Sequence, residues 1–310
     1  MELKLSGRFG LGLNADTKQV MNCIKEMLSV EHGEEICLNF SELEFIYPSG
    51  VNILSAVGKY LMAVRESKIS HIYPKDKEVS NFLSECGFCE FVGVKSYLNG
   101  KAPQHNGTYI YKIRRFDFPD DYEIEQLINI IEKELKLSSN VCNHIHESLA
   151  ELILNVQQHS GSKTGCFVLG QGYQKTHRVR VCISDLGIGI KNHLARKFND
   201  LIQLDSTFAI KRALVRGVTG TLGRENSGVG LSEFREFINF VGGEFIIISG
   251  NGFYEEIITY SGAKSKVVKN IERLDFKFPG TFIDATINSK PGSKIFFKSE
   301  PIPEDYKLIR

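Results

Sequence analysis

Glu151 and Asn155 stand four residues apart in Glu-Leu-Ile-Leu-Asn, within a stretch whose apolar positions repeat at helical spacing. On a helix that separation places a carboxylate and a carboxamide on one face, one turn apart. The carboxylate can orient or deprotonate an attacking group, and the carboxamide oxygen is a hard donor of the kind Mg²⁺ takes. His159 falls near the same stripe. Further along, Asp185 follows the apolar positions Val179, Val181 and Ile183 and opens Asp-Leu-Gly-Ile-Gly. A strand there would deliver the acid to the edge of a core, while Gly187 and Gly189 permit a tight turn and close approach of backbone to a ligand. An acceptor-only carboxylate suits an exocyclic amine such as that of adenine. A third stretch, Ser227-Gly228-Val229-Gly230-Leu231, leads into an apolar-periodic segment. The first backbone N–H groups of a helix form an anion site, so phosphate can bind there without a P-loop lysine. The chain contains no GxxxxGK[ST]. Taken in order, the three stretches describe a nucleotide pocket.

The elements that must position these groups follow an α/β pattern. In the first hundred residues Glu35 to Phe40 reads as a buried strand, Val51 to Val64 and Val79 to Cys86 as helices, and Glu90 to Val94 as a short strand. Asn99 to Gly107 is rich in Gly, Pro and Asn and reads as a linker. A second unit opens with the alternating strand Tyr109–Phe116, then helices over Tyr122–Leu137 and Val141–His159, the latter behind the capping cluster Ser138-Ser139-Asn140. Strands are expected at Gly165–Gln171 and Arg178–Ser184, helices at Ser206–Val215 and Val229–Val241, and closing strands at Glu244–Ser249, Phe253–Tyr260 and Thr281–Asn288.

Composition limits the function class. The formal net charge of +1 over 310 residues argues against a broad basic surface for nucleic acid or acidic lipid. No apolar run approaches the ~20 residues of a membrane span, and no basic-then-apolar leader opens the chain. Seven cysteines without secreted-domain spacing point to a reducing cytoplasm. Cys86-Gly-Phe-Cys89 has no second CxxC or CxxH to complete a zinc site, and its apolar surroundings suit core thiols.

The order and spacing of the motifs over about residues 108–290 resemble the Bergerat-fold ATP-binding domain of the gyrase, Hsp90, histidine-kinase and MutL superfamily. The Glu151–Asn155 helix is similar to that family's asparagine box, Asp-Leu-Gly-Ile-Gly to its first glycine box and Asn-Ser-Gly-Val-Gly-Leu to its second. Pro279-Gly280-Thr281-Phe282 is similar to its late Gly-Thr element. The resemblance implies ATP and Mg²⁺ as cofactors, with Glu151 as general base or positioner of the nucleophile, Asn155 as Mg²⁺ ligand and Asp185 as the adenine-reading acid. Gly187, Gly189, Gly228, Gly230 and Leu231 would shape the pocket and phosphate loop, Thr281 would support adenine, and residues 190–227 would form the ATP lid. Arg216 and Arg224 lie in that segment and could reach the phosphates; Lys290 and Lys294 read as solvated surface.

Residues 1–97 resemble the STAS domain of anti-sigma-factor antagonists: an apolar strand, a turn, a second apolar run, then Ser49-Gly50 at a helix start, with Phe82-Leu-Ser-Glu-Cys-Gly-Phe similar to the family's final helix. The resemblance implies Ser49 as a possible phosphoacceptor; from the residues alone it reads as an N-cap. Asn39 and Tyr47-Pro48 depart from the acidic pattern of that family.

The expected organisation is therefore a STAS-like α/β domain (1–98), a linker (99–107), a two-layer α/β sandwich of Bergerat type (108–290) and a C-terminal tail (291–310). The expected function is an ATP-dependent serine/threonine kinase-like regulator. Its partner would be a regulatory protein, a STAS antagonist or a sigma-like factor, with neither nucleic acid nor membrane involved. A nucleotide-gated interaction module, and an ATPase that dimerises through its lid, stay open beside it. His144 and His146 lie in the asparagine-box helix, and no separate phosphoacceptor-His dimerisation helix is present, which argues against a sensor histidine kinase.

Overall fold

The computed structural model describes residues 1–93, 108–137, 139–155, 160–218, 230–261 and 264–288. The expected linker 99–107 and tail 291–310 lie outside them. The fold is mixed α/β, with one parallel and one antiparallel sheet.

The first unit is built on three parallel strands, β1 (Glu2–Phe9), β2 (Glu35–Ile46) and β3 (Lys68–Ile72), in the order β1-β2-β3. Parallel strands need crossover connections, and helices α1 (Thr17–Ser29) and α2 (Pro48–Val64) supply them. Asp16 caps α1 by accepting the Gln19 N–H at 2.9 Å. Helix α2 starts at Pro48 rather than at Ser49, with Tyr47 in the cap position, because proline's fixed φ suits the first helical turn. Ser49 is therefore not the N-cap. From Pro48 to Gly58 every residue of α2 is buried, which a helix achieves only when covered on all sides.

Helix α3 (Lys77–Glu85) follows, and then comes a departure from expectation. Residues 88–92 form a short helix, α4 (Phe88–Val92), and not the expected strand over Glu90–Val94. Gly87 and Gly93 bracket it, both at φ +80°, a conformation open to glycine at little cost. Phe88, Cys89 and Val92 then turn to one side and enter the core.

The second unit is a five-stranded antiparallel sheet of order β4-β5-β6-β8-β7, comprising β4 (Thr108–Phe116), β5 (Cys166–Tyr173), β6 (Arg178–Asp185), β7 (Gly243–Ser261) and β8 (Lys264–Asn288). Two of the expected closing strands merge into β7, which passes through an irregularity at Gly250 (φ +57°). Residues 264–280, not expected as strand, extend β8 along it. Helices α5 (Asp121–Leu135), α6 (Ser139–Asn155) and α9 (Gly230–Val241) cover one face of the sheet. Asp120 caps α5 through the Glu123 N–H, and Lys136 ends it in a left-handed conformation. On α9, Arg235 grips the buried Glu256 of β7 with two hydrogen bonds of 2.6 and 3.0 Å, and Tyr254 donates to the same carboxylate at 2.7 Å.

The other face of this sheet meets the first unit. One hydrophobic core runs continuously from Leu5, Ile24, Ile53 and Val57 to Phe167, Leu169, Cys182, Ile246 and Phe282. Strand β6 is consequently buried on both sides, with Val179, Val181 and Ile183 against the helices and Cys182 toward α2. All seven cysteines are free thiols, and six of them are buried. Burial pushes the Cys86 thiol up to about 12, the behaviour of an inert core thiol.

Candidate functional site

Asp185 is the last residue of β6, paired with Cys166 on β5 and Thr281 on β8. Beyond it the chain turns sharply. The Gly187 N–H donates to Asp185 Oδ1 at 2.9 Å, and the Ile188 N–H donates to Ser160 O at 2.7 Å. A Cβ at Gly187 would lie 2.2 Å from Ser160 O, so the close approach of these segments requires glycine. Gly280 faces the same turn at φ +89°, where a Cβ would sit 2.1 Å from Asp185 O. These two glycines let the β6 end and the residue before Thr281 pack backbone to backbone.

Ser249, at the end of the apolar run Ile246–Ile248 of β7, locks the arrangement. It is buried; its Oγ donates to Gly280 O at 2.8 Å, accepts the Ile190 N–H at 2.9 Å and lies 3.2 Å from Thr281 Oγ1. Sequence reading passed over it; the signal available was a small polar residue ending a fully apolar strand run just before a glycine.

Together these elements frame a solvent-open cleft with a cavity volume of about 130 Å³. Aliphatic side chains make most of its wall, including Leu152, Ile183, Ile188 and Leu231, with Asn155, Asp185, His193 and Thr281 as polar groups among them. The Asp185 carboxyl is pushed up to about 7, because burial outweighs the hydrogen bonds from the Gly187 and Thr281 backbone. A carboxyl poised near neutrality in an apolar cleft is a marker of a binding or catalytic site.

Of the residues singled out from sequence, Asn155, Asp185, Gly189, Leu231 and Thr281 line this one cleft, and Gly187 shapes its rim. Glu151 and Gly230 lie together where α9 begins: a Cβ at Gly230 would fall 2.9 Å from Glu151 Cβ. Glu151 is not part of the cleft lining. Gly228, His159, Arg224, Lys290 and Lys294 lie outside the described residues. Arg216 pairs with Glu233 of α9 at 3.1 Å. The described part of the expected lid, residues 190–218, holds helix α7 (Gly189–Leu194), a 3-10 turn (Asn199–Gln203) and helix α8 (Ser206–Ala213). Leu194, Leu201 and Ala209 give this segment a small core of its own, and Ile190, Leu194, Ala213 and Val218 form one wall of the cleft.

Ser49 lies elsewhere. It is fully buried, and its Oγ accepts the Leu11 N–H at 3.0 Å, so in this arrangement the hydroxyl is closed to another protein's active site.

Among the described residues no group of three or more His, Cys, Asp or Glu could hold a metal. Among the polar groups of the cleft, the Asn155 carboxamide oxygen could serve a Mg²⁺ delivered with a phosphate ligand, since that ion keeps most of its waters and takes few protein oxygens. Among the described residues no helix is long and apolar enough to cross a membrane. No protein-family model matches this chain, and no curated protein matches it significantly in sequence.

Proposed function

We propose that this chain is a Mg·ATP-binding regulatory protein, with a Bergerat-type nucleotide domain joined to a STAS-like N-terminal unit, and that it transfers the γ-phosphate to a serine of a regulatory protein partner. One observation carries the reading: Asn155, Asp185, Gly189, Leu231 and Thr281, from five separate elements, converge on a single mostly apolar cleft. The aliphatic walls suit a purine ring, and Asp185 among the lining residues suits its exocyclic amine. The start of α9 and Asn155 suit the phosphates and their Mg²⁺. Glu151, beside Gly230 at the start of α9, would assist a hydroxyl approaching the terminal phosphate.

The burial of Ser49 favours a second reading, a nucleotide-gated interaction module with little turnover, over phosphorylation of the chain's own serine. Calorimetric titration with Mg·ATP tests the pocket, and incubation with γ-labelled ATP and a STAS-domain partner tests transfer. Wild type should bind, and Asp185→Asn should bind at least tenfold more weakly. Equal affinity in the two proteins would remove the adenine assignment. Binding without label on any partner would leave the gated module.

A further inference from the structure

Asn52 lies on α2, in the first unit, on the side of the antiparallel sheet away from the cleft. It is fully buried, and both ends of its carboxamide are hydrogen-bonded. Nδ2 donates to Phe167 O at 3.2 Å and Cys182 O at 3.4 Å, while Oδ1 accepts from Ser184 Oγ at 2.6 Å. Phe167 and Ser184 are direct partners across the β5–β6 ladder. Asn52 therefore ties the two strands together one residue before the ladder ends at Asp185.

Because successive side chains on a strand alternate faces, Ser184 meets Asn52 while Asp185 meets the cleft. We propose that Asn52 is a positioning residue for the cleft, so that docking of the N-terminal unit and occupancy of the cleft are coupled through Ser184 and Asp185. This rests on the nucleotide reading of the site. The physical basis is short-range. Asp185 ends β6 between its ladder partners Cys166 and Thr281 and against Gly187 and Gly280, with no β6 residue beyond it. To the ladder pairing of Ser184, the residue before it, the bond to Asn52 adds a side-chain tie. Loss of that bond leaves buried polar groups without partners and frees the strand end to shift, and geometric precision is what a carboxylate reading an amine requires. By linkage, ligand in the cleft must in turn favour the docked N-terminal unit to the same degree.

The experiment is calorimetric titration of the full chain with Mg·ATP at pH 8 in wild type, Asn52→Leu, Ser184→Ala, Ser184→Thr and Lys25→Ala. Lys25 forms an exposed ion pair with Asp275 between the same two units without touching β6, and so controls for general loosening. Asn52→Leu and Ser184→Ala should each weaken ATP about tenfold, within the usual span of coupling between sites. Ser184→Thr, which keeps the hydroxyl, should stay within about twofold of wild type, and Lys25→Ala should be unchanged. If Asn52→Leu does not fold, the Ser184 pair decides. Wild type that fails to bind ATP overturns the nucleotide reading and this coupling together. Wild type that binds, with Ser184→Ala at the same affinity or with Lys25→Ala equally impaired, overturns the coupling alone.

Discussion

Arg180 of β6 and Asp284 of β8 form a two-pronged ion pair with side chains 6% and 1% exposed, and the same guanidinium donates to Leu11 O of the N-terminal unit at 2.6 Å. Beside it, Glu244 of β7 accepts the Leu13 N–H at 3.2 Å. The loop after β1 thus caps a charge cluster on the face of the second sheet that meets the first unit. The two units are joined by polar bonds that water would contest if they parted, as well as by a shared core.

Removing one partner of such a pair strands a buried charge, which typically costs about 3–5 kcal/mol. Arg180→Ala should destabilise the chain by roughly that amount in urea unfolding, and Arg180→Met, which restores the volume, should still leave Asp284 uncompensated. A loss below about 1 kcal/mol would mean that the pair is solvated in solution, as exposed pairs are.

Asp185 should make stability fall as pH rises. Its carboxyl titrates at about 7 in the folded chain against 3.8 ordinarily, so the folded state binds the proton more tightly. The cost is small below the ordinary value, grows between pH 4 and about 7, and is then constant, at most about 4 kcal/mol. Asp185→Asn should therefore raise Tm relative to wild type, more at pH 8 than at pH 5. An equal effect at both pH values would show that the carboxyl is not perturbed.

The same proton should govern ligand affinity with the opposite sense. The ionised carboxylate accepts from an amine more strongly than the neutral carboxyl does, so Mg·ATP affinity should fall as pH drops below the titration point near 7 and level off above it. Calorimetry in buffers of different ionisation enthalpy should detect proton release on binding near neutrality. A flat profile from pH 5.5 to 8 would place the amine elsewhere.

Gly280 and Gly33 separate two roles for positive φ. Both lie in the left-handed region, at +89° and +79°, but a Cβ at Gly33 meets nothing within 4 Å whereas one at Gly280 meets the Asp185 carbonyl at 2.1 Å. Gly33→Ala should cost about 1–2 kcal/mol from backbone conformation alone. Gly280→Ala should cost more and should also weaken nucleotide binding, because relieving the contact moves Asp185 or Thr281. Comparable losses in both variants, with affinity kept, would contradict this.

Much of the architecture was legible in the chain because local patterns and tertiary demands agree. The helices bearing Asn155 and Leu231 and the strand bearing Asp185 have the apolar periods their burial requires, and their starts or ends carry capping residues or glycines. The short helix Phe88–Val92 was misread as strand because five residues carry too little periodicity to separate the two, and the left-handed glycines at both ends decided it. The extension of β8 through residues 264–280 was missed for a different reason. Its residues 265–270 are exposed, so no alternation of apolar and polar marks them, and pairing with β7 alone makes them strand.

By itself the sequence determined which residues could do chemistry, since residue type and short-range spacing settle what a helix face or a glycine turn can present. Only the tertiary structure decided what those residues meet. It sealed Ser49 against the loop after β1, brought Ser249 to the Gly-Thr turn, and set Asn52 against the strand that ends at Asp185. Arg180, Cys182 and Ser184 alternate with the apolar side of β6, and by pattern alone would face water. They are buried because a separate unit, distant in sequence, supplies the hydrogen bonds and apolar surface that make their burial favourable, and no local period encodes a partner of that kind.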